Sequence, residues 1–422
     1  MVKRFLIAFL CLFAMGLNAQ RGTVSPYSFF GIGDFRSNAT VENQMMGGLQ
    51  MFADSIHVNL QNPAAYSSLR LTTYTAGIGH TEFRLEDNTE EQRISNTNLD
   101  YLAIGLPIAK NAGIGFGLVP FSSVGYRLID ETQNGQGETI INNFDGEGGL
   151  NRVFVSVGYA PFKNLSLGVT ANFNFGTLTY DRVQSVEGVL FGTRDLRESR
   201  INGFDFNYAL NYTPTIGKYT LYTHVGVDTQ VNLVSENSER ISSFSLTTGQ
   251  EIEAVDVNLA AQNLANTELK IPTTATFGLG IGQPKKWFVG GEYSLQALGD
   301  FSNEFIAQQN VGYTDASSFA FGTYFVPDYR SLGGYLNRIT YRAGLRYDQT
   351  GLVVNNKEIN NFGITFGFGL PLSRTSTFSN INLGFELGRR GTTDQGLIRE
   401  DYLGINIGLS LNAQWFIKRK IN

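Results

Sequence analysis

The chain is poor in the residues that build most catalytic and metal centres. Its 422 residues include one cysteine, three histidines, two tryptophans and ten prolines. The lone Cys11 lies inside the first apolar run, which leaves the rest of the chain without disulfides, thiol nucleophiles or cysteine-held zinc. His57, His80 and His224 are far apart and show no metal-ligand spacing, so no metal is expected. Basic residues are also short: 32 Lys and Arg against 37 Asp and Glu give a net charge of −5. A protein that binds a phosphate backbone carries the opposite balance, which excludes nucleic acid as a partner. No long hydrophobic run follows the first 20 residues, and mean hydropathy is −0.11. A polytopic helical membrane protein is thereby excluded. No Gly-x-Ser-x-Gly occurs, and Gly113-x-Gly115-x-Gly117 sits inside a strand-like alternation rather than at a strand-to-helix turn. The sequence therefore predicts neither an enzyme nor a cofactor.

What is present begins with an export signal. Lys3 and Arg4 precede the apolar stretch 5–17, and Leu17-Asn18-Ala19 offers a cleavage site before Gln20. The stretch is too short to span a bilayer at about 1.5 Å per residue. Cys11 follows Leu10 within an unfinished apolar run, which does not fit a lipid-anchored N-terminus. Residues 1–19 read as a signal peptide.

Beyond residue 69 the dominant pattern has period two. Leu403, Ile405, Ile407, Leu409, Leu411, Ala413, Trp415 and Ile417 alternate with Gly404, Asn406, Gly408, Ser410, Asn412, Gln414 and Phe416. An ordinary soluble strand is about 5–6 residues long. Longer strands that alternate apolar-out and polar-in mark a transmembrane barrel. Trp415-Phe416 suits an interfacial aromatic girdle. The same alternation recurs in 165–176, 219–228, 338–348 and 381–388. Much of the excess of the 48 glycines falls on the non-apolar face, as expected of a crowded lumen.

Short connections carrying proline, such as Leu106-Pro107 to Asn111, Ala160-Pro161 to Asn164 and Pro284-Lys285-Lys286, separate longer polar segments at 130–149, 183–199 and 235–269. Barrels of the outer membrane have short periplasmic turns and long outer loops. Strands are expected at 71–84, 98–107, 112–128, 151–160, 164–181, 201–213, 218–233, 269–282, 287–298, 319–326, 337–354, 360–371, 379–390 and 401–417. The fold class is all-β: an antiparallel transmembrane barrel of fourteen strands over 69–422, in the outer membrane of a Gram-negative bacterium. Residues 20–68 do not alternate, and are too rich in Phe, Tyr, Met and Leu for a disordered tail. They are read as a plug, or hatch, inside the barrel.

Gly47-Gly48, Ala53-Asp54, Asn62-Pro63-Ala64 and the strand opening Leu71-Thr72-Thr73-Tyr74, followed by a Leu-Pro hairpin, resemble the FadL family of outer-membrane transporters for hydrophobic compounds. The resemblance implies a fourteen-stranded barrel, a periplasmic hatch and a kinked third strand that opens the wall sideways. Asn62, Pro63 and Ala64 would belong to the hatch. Pro120 cannot donate to a ladder, so a lateral opening is expected at Pro120, Phe121, Ser122, Ser123 and Gly125. The alternative is a strand that simply ends near Val119.

Arg338, Arg342 and Arg346 fall on the inward face of one predicted strand, with Glu292 and Glu386 inward on neighbouring ones. They form either an internal ion-pair ladder or a selector for an anionic head group. His224 and Asp228 share a face, too far apart along the strand to bond to each other at about 3.4 Å per residue.

Two functions remain open. One is passive uptake of a hydrophobic, fatty-acid-like or hydrocarbon-like molecule through the lumen and the wall opening. The other is a barrel that binds protein in a secretion or assembly complex, as the FadL-like PorV barrels do in type IX secretion, with 235–269 and 301–318 as docking surfaces. In both, the surroundings are outer-membrane lipid and lipopolysaccharide; the ligand is a hydrophobic small molecule in the first and a protein in the second. A continuous apolar channel favours the first, and a lumen sealed by ion pairs favours the second.

Overall fold

The computed structural model describes residues 22–306, 310–372 and 378–413. The signal peptide 1–19, Gln20 and the Trp415-Phe416 pair lie outside them. Fourteen antiparallel strands form one closed wall. They are β1 (Thr72–Glu86), β2 (Glu91–Ala109), β3 (Ala112–Gln133), β4 (Thr139–Phe162), β5 (Leu165–Val186) and β6 (Phe191–Tyr212). β7 joins Tyr219–Asp228 to Val231–Ser245, and β8 joins Glu251–Asp256, Asn266–Ile271 and Thr274–Gln283. β9 (Trp287–Gln296) is followed by β10, made of Val311–Tyr313 and Ala316–Phe325. β11 (Thr340–Val354), β12 (Lys357–Pro371), β13 (Asn380–Arg390) and β14 (Arg399–Ala413) complete the set. β14 pairs with β1 from Thr72↔Ala413 to Glu86↔Arg399, which closes the barrel and removes the sheet's edges there. No helix among the described residues is long and apolar enough to cross a membrane.

Alternation produces this wall directly. In β14, Leu403, Ile405, Ile407, Leu409 and Leu411 face outward and are exposed, while Asn406, Ser410 and Asn412 face inward and are buried. The outward apolar band continues through Val153, Val155 and Val157 of β4, Phe206, Tyr208 and Leu210 of β6, and Leu279 and Ile281 of β8.

The wall has two heights. β9, β13 and the longer piece of β10 have 10 or 11 residues, close to what a tilted strand needs to cross a bilayer. β3, β4, β5 and β6 have 22, 24, 22 and 22 residues. Their outer halves stand beyond the apolar band by roughly 40 Å of strand length, at about 3.4 Å per residue. The segments 130–149, 183–199 and 235–269, expected as loops, are therefore mostly strand. The turns at the tips cover 134–138, 187–190 and 246–250, and a non-strand stretch at 257–265 interrupts β8. Above the bilayer no lipid selects apolar residues, so paired strands carry polar side chains on both faces. Arg127–Asp145 and Arg194–Asp181, both cross-strand pairs, sit on this raised wall.

Residues 22–70 lie against the inside of the wall. Ser67 bonds back within the 3-10 helix Pro63–Ser68, which packs on β4 and β5. The short helix Val41–Gln44 packs on β12, β13 and β14.

Candidate functional site

The inner segment sits on glycines. A Cβ on Gly168 of β5 would come within 2.2 Å of Pro63 C and Ala64 N, and one on Gly113 of β3 within 2.1 Å of Tyr66 O. On the opposite wall, a Cβ on Gly344 of β11 would lie 2.1 Å from Gly47 N, and one on Gly322 of β10 2.1 Å from Met46 O. Only a missing side chain lets two backbones approach this closely. This accounts for glycine's place on the inward face.

Asn62 anchors the segment. Its Oδ1 accepts from Ala64 N at 3.1 Å, capping the helix that begins at Pro63. Its Nδ2 donates to Gln50 O at 3.0 Å and to Asn211 Oδ1 of β6 at 3.2 Å. His224 of β7 holds Asn211 through Nδ1 at 2.7 Å. Pro63 and Ala64 lie buried against the wall beside it.

A second anchor lies around His57, whose Nδ1 is 2.6 Å from Asp54 Oδ2 and whose Nε2 is 3.7 Å from Glu42 Oε1. Glu42 in turn accepts from Asn382 Nδ2 of β13 at 2.8 Å and Ser410 Oγ of β14 at 2.6 Å. Burial alone would depress the imidazole pKa, but the Asp54 and Glu42 carboxylates outweigh it and raise it above its ordinary value. The same contact, against burial, draws the Asp54 carboxyl below its usual range.

The wall itself opens between β2 and β3. Their ladder runs from Ala109↔Ala112 only to Leu102↔Leu118. Beyond that point β2 pairs only with β1, and β3 only with β4 and with the two-residue strand Asp34–Phe35. Both strands carry a bulge where they part. Asp100 is the extra residue on β2, and Phe121 the extra residue on β3. Arg36 uses both: its N–H donates to Phe121 O at 3.0 Å, and its guanidinium meets Asp100 Oδ1 at 3.1 Å. β3 does not end near Val119. Pro120 pairs on one side with Asn151 and faces the opened side with its missing N–H. Ser122 and Ser123 take Phe35 and Asp34 as strand partners, and Gly125 N donates to Ser28 Oγ at 3.1 Å.

The basic residues of the lumen do not form one row. Arg338 lies in the 3-10 turn Leu336–Arg338, before β11 begins, with its guanidinium over the Tyr335 ring. The alternation starts only at Thr340, so Arg338 does not share the inward face of β11. Arg342 is buried and donates to Asn382 Oδ1 at 3.1 Å. Arg346 pairs with Glu386 at 2.7 Å, although their strands are not adjacent: the pair reaches across β12, where Gly363 leaves room. Among the described residues Glu292 pairs with no arginine. It accepts from Gln50 N at 2.8 Å and Met51 N at 2.5 Å, tying the inner segment to β9. Asp228 accepts from Asn207 rather than acting with His224.

Sequence reading missed the network around Arg152. Its Nη2 meets Asp205 Oδ1 at 3.1 Å, its Nε donates to Asn174 Oδ1 at 2.8 Å, and its guanidinium covers the Phe121 ring. The signal was present, since inward positions 152, 172, 174, 205 and 207 on three adjacent strands are all polar. Arg36 left no such trace.

Above these contacts the raised wall closes over an apolar core. Ile32 of the inner segment, Val124, Tyr126, Leu150 and Leu178 of the wall, and Phe301 of the segment after β9 form one buried cluster. A lumenal cavity of about 530 Å³ is lined by apolar side chains, among them Tyr27, Phe30, Ile32, Leu298 and Phe301, and by the charged Asp100, Arg346, Asp348, Glu386, Arg390 and Glu400. Apolar side chains are instead exposed at the tips, with Leu190 at 68%, Phe191 at 54% and Ile252 at 57%.

Solved structures share this fold. The Pseudomonas putida toluene transporter TodX aligns with TM-score 0.59 and 15% identity over 91% of this chain and 99% of that one. The Ralstonia pickettii toluene transporter TbuX gives 0.57 and 12% over 89% and 98%. A Pseudomonas aeruginosa FadL homologue gives 0.54 and 11% over 91% and 99%. These likenesses establish a FadL-like fold of fourteen strands. No curated protein sequence matches the chain. The BamG family model matches residues 1–422, the whole length, and the chain belongs to the BamG family.

Proposed function

We propose that this barrel is a protein-binding subunit of an outer-membrane secretion or assembly complex. The observation that carries this reading is the filled lumen. The inner segment is tied to β6, β9, β13 and β14 by Asn62, Glu292 and Glu42. An apolar core closes the raised wall, and charged pairs such as Arg346–Glu386 and Arg390–Asp34 reach into the cavity beside its apolar lining. A hydrophobic solute passing through would have to displace those pairs, and each charge left behind would lose its partner. The exposed Leu190, Phe191 and Ile252 at the wall's tips suit contact with another protein. Membership of the BamG family supports the same direction.

Native mass spectrometry of the protein, extracted from its own outer membrane in mild detergent, tests this. The expected result is a stoichiometric protein partner. A hydrophobic small molecule bound without any protein would overturn it.

One observation favours a second reading, passive passage of a hydrophobic compound. The chain shares its fold with proteins described as toluene transporters, and the β2–β3 ladder stops at Leu102↔Leu118. In that reading Arg36 and the inner segment shift, and the solute leaves beside Pro120 to Gly125. Arg342 and Arg346 would then select a polar head.

A further inference from the structure

The opened wall presents a strand edge that is only partly used. The two-residue strand Asp34–Phe35 runs antiparallel to β3, pairing Asp34↔Ser123 and Phe35↔Ser122. Just before it, Gly33 adopts φ +88 and turns the chain away, so the added strand stops there. β3 continues outward for ten more residues, to Gln133. Among the described residues no strand is registered against it on this side beyond Ser123. Phe121 O accepts from Arg36 N and Gly125 N donates to Ser28 Oγ, so the odd-numbered residues aim their backbone groups at the opening. Antiparallel alternation then directs those of Arg127, Ile129, Glu131 and Gln133 the same way. β2 faces the opening with a second edge, 91–101, which pairs only with β1.

We propose that this edge accepts an extended segment of a partner protein, which adds antiparallel to β3 outward of Gly125, above the 3-10 helix Pro26–Phe29 whose Ser28 already holds the Gly125 N–H. The inference rests on the protein-binding reading and names its surface. The chain's own segment already shows that the edge takes a strand in this direction. An unprotected edge is a template for such addition, and main-chain bonds supply the affinity in this mode of recognition. The flanking side chains set the chemistry. Ile129, Phe35 and Leu99 are exposed beside the opening, at 65%, 49% and 44%. They favour aliphatic or aromatic residues on the incoming strand's outward face. Glu91 is paired with Arg84, while the exposed Asp130 and Glu131 on β3 and Glu90 just before β2 make the outer end acidic. An antiparallel strand enters there with its N-terminal end, so that end is expected to be basic.

The test uses the full-length barrel in detergent and a synthetic peptide of about nine residues, two lysines followed by alternating threonine and valine. Fluorescence anisotropy is expected to show saturable binding. N-methylation of one alternating set of peptide amides is expected to weaken it about tenfold or more, while methylation of the other set leaves it nearly unchanged. Ile129→Pro removes one edge-facing N–H while sparing the β3–β4 ladder, and should weaken binding by a similar factor without altering heat-modifiable gel mobility. No saturable binding, or equal effects of the two methylated sets, would overturn the proposal. If native mass spectrometry still finds a partner in that case, protein binding stands and the docking surface lies elsewhere.

Discussion

The two sides of the barrel are built to different purposes. β9 to β14 are short and carry much of the seat for the inner segment, with Gly322, Gly344 and Glu292 meeting its backbone. β3 to β6 also meet it at their lower ends, through Gly113 and Gly168, but spend about half their length above the membrane. There, cross-strand ion pairs and an apolar core replace lipid as the surroundings. The difference teaches that crossing a bilayer fixes only the lower storey. The upper one is a soluble β-structure fused to it, stabilised by its own core and shaped for contact.

The comparison can be broken most severely at the seat. Gly344→Val should unseat 45–47, because its side chain would overlap backbone that cannot retreat. Limited proteolysis from the periplasmic face should then cut within 41–68, and losses of about 3 kcal/mol or more are expected, beyond ordinary overpacking. Next comes Arg152→Ala, which leaves Asp205 buried and uncompensated at a cost of about 3–5 kcal/mol, read by thermal unfolding in detergent. Arg36→Ala is expected to be milder, about 1–3 kcal/mol. Its signature is faster hydrogen exchange at 32–36 with the rest of the wall unchanged.

The His57 anchor predicts a pH dependence. The raised imidazole pKa contributes stability that is full below the unfolded value and lost as pH rises through the folded one. The lowered Asp54 pKa contributes above its unfolded value and is lost as pH falls through the folded one. Proteolytic protection of 41–68 should therefore peak at mildly acidic pH and fall as His57 deprotonates. In His57→Gln the alkaline loss should disappear. The smallest effect is expected on the raised wall. Arg194→Ala removes a half-exposed pair with Asp181 and should cost less than about 1 kcal/mol, screened further by salt.

Much of the lower storey was legible because lipid writes a period of two into the sequence. Leu403 to Leu411 and Val153 to Val157 are read from alternation alone. The raised storey was not, because strands in water place polar residues on both faces, and 193–200 or 236–243 look like loop. Pro120 signalled a break in pairing, since proline's missing N–H is visible in the sequence. The bulges at Asp100 and Phe121 were invisible, because an extra residue shifts parity without changing composition. Arg338 was misread through the same arithmetic, carried one step past the true start of β11. Glu292 was correctly placed inward, but its partners are backbone amides, which no side-chain pattern announces.

The inner segment has a consequence for the order in which the barrel is made. It is the first part of the described chain to leave the export machinery, yet Ser25 bonds Glu400 and Glu42 bonds Ser410, both on the last strand. Neither bond exists until β14 has arrived beside β1. Its earliest-exported residues must therefore wait, unsatisfied, for the final hairpin. Closing the ring thus completes the lodging of its contents, and a truncation that removes β14 would free Ser25 and take Ser410 from Glu42 as it opens the wall.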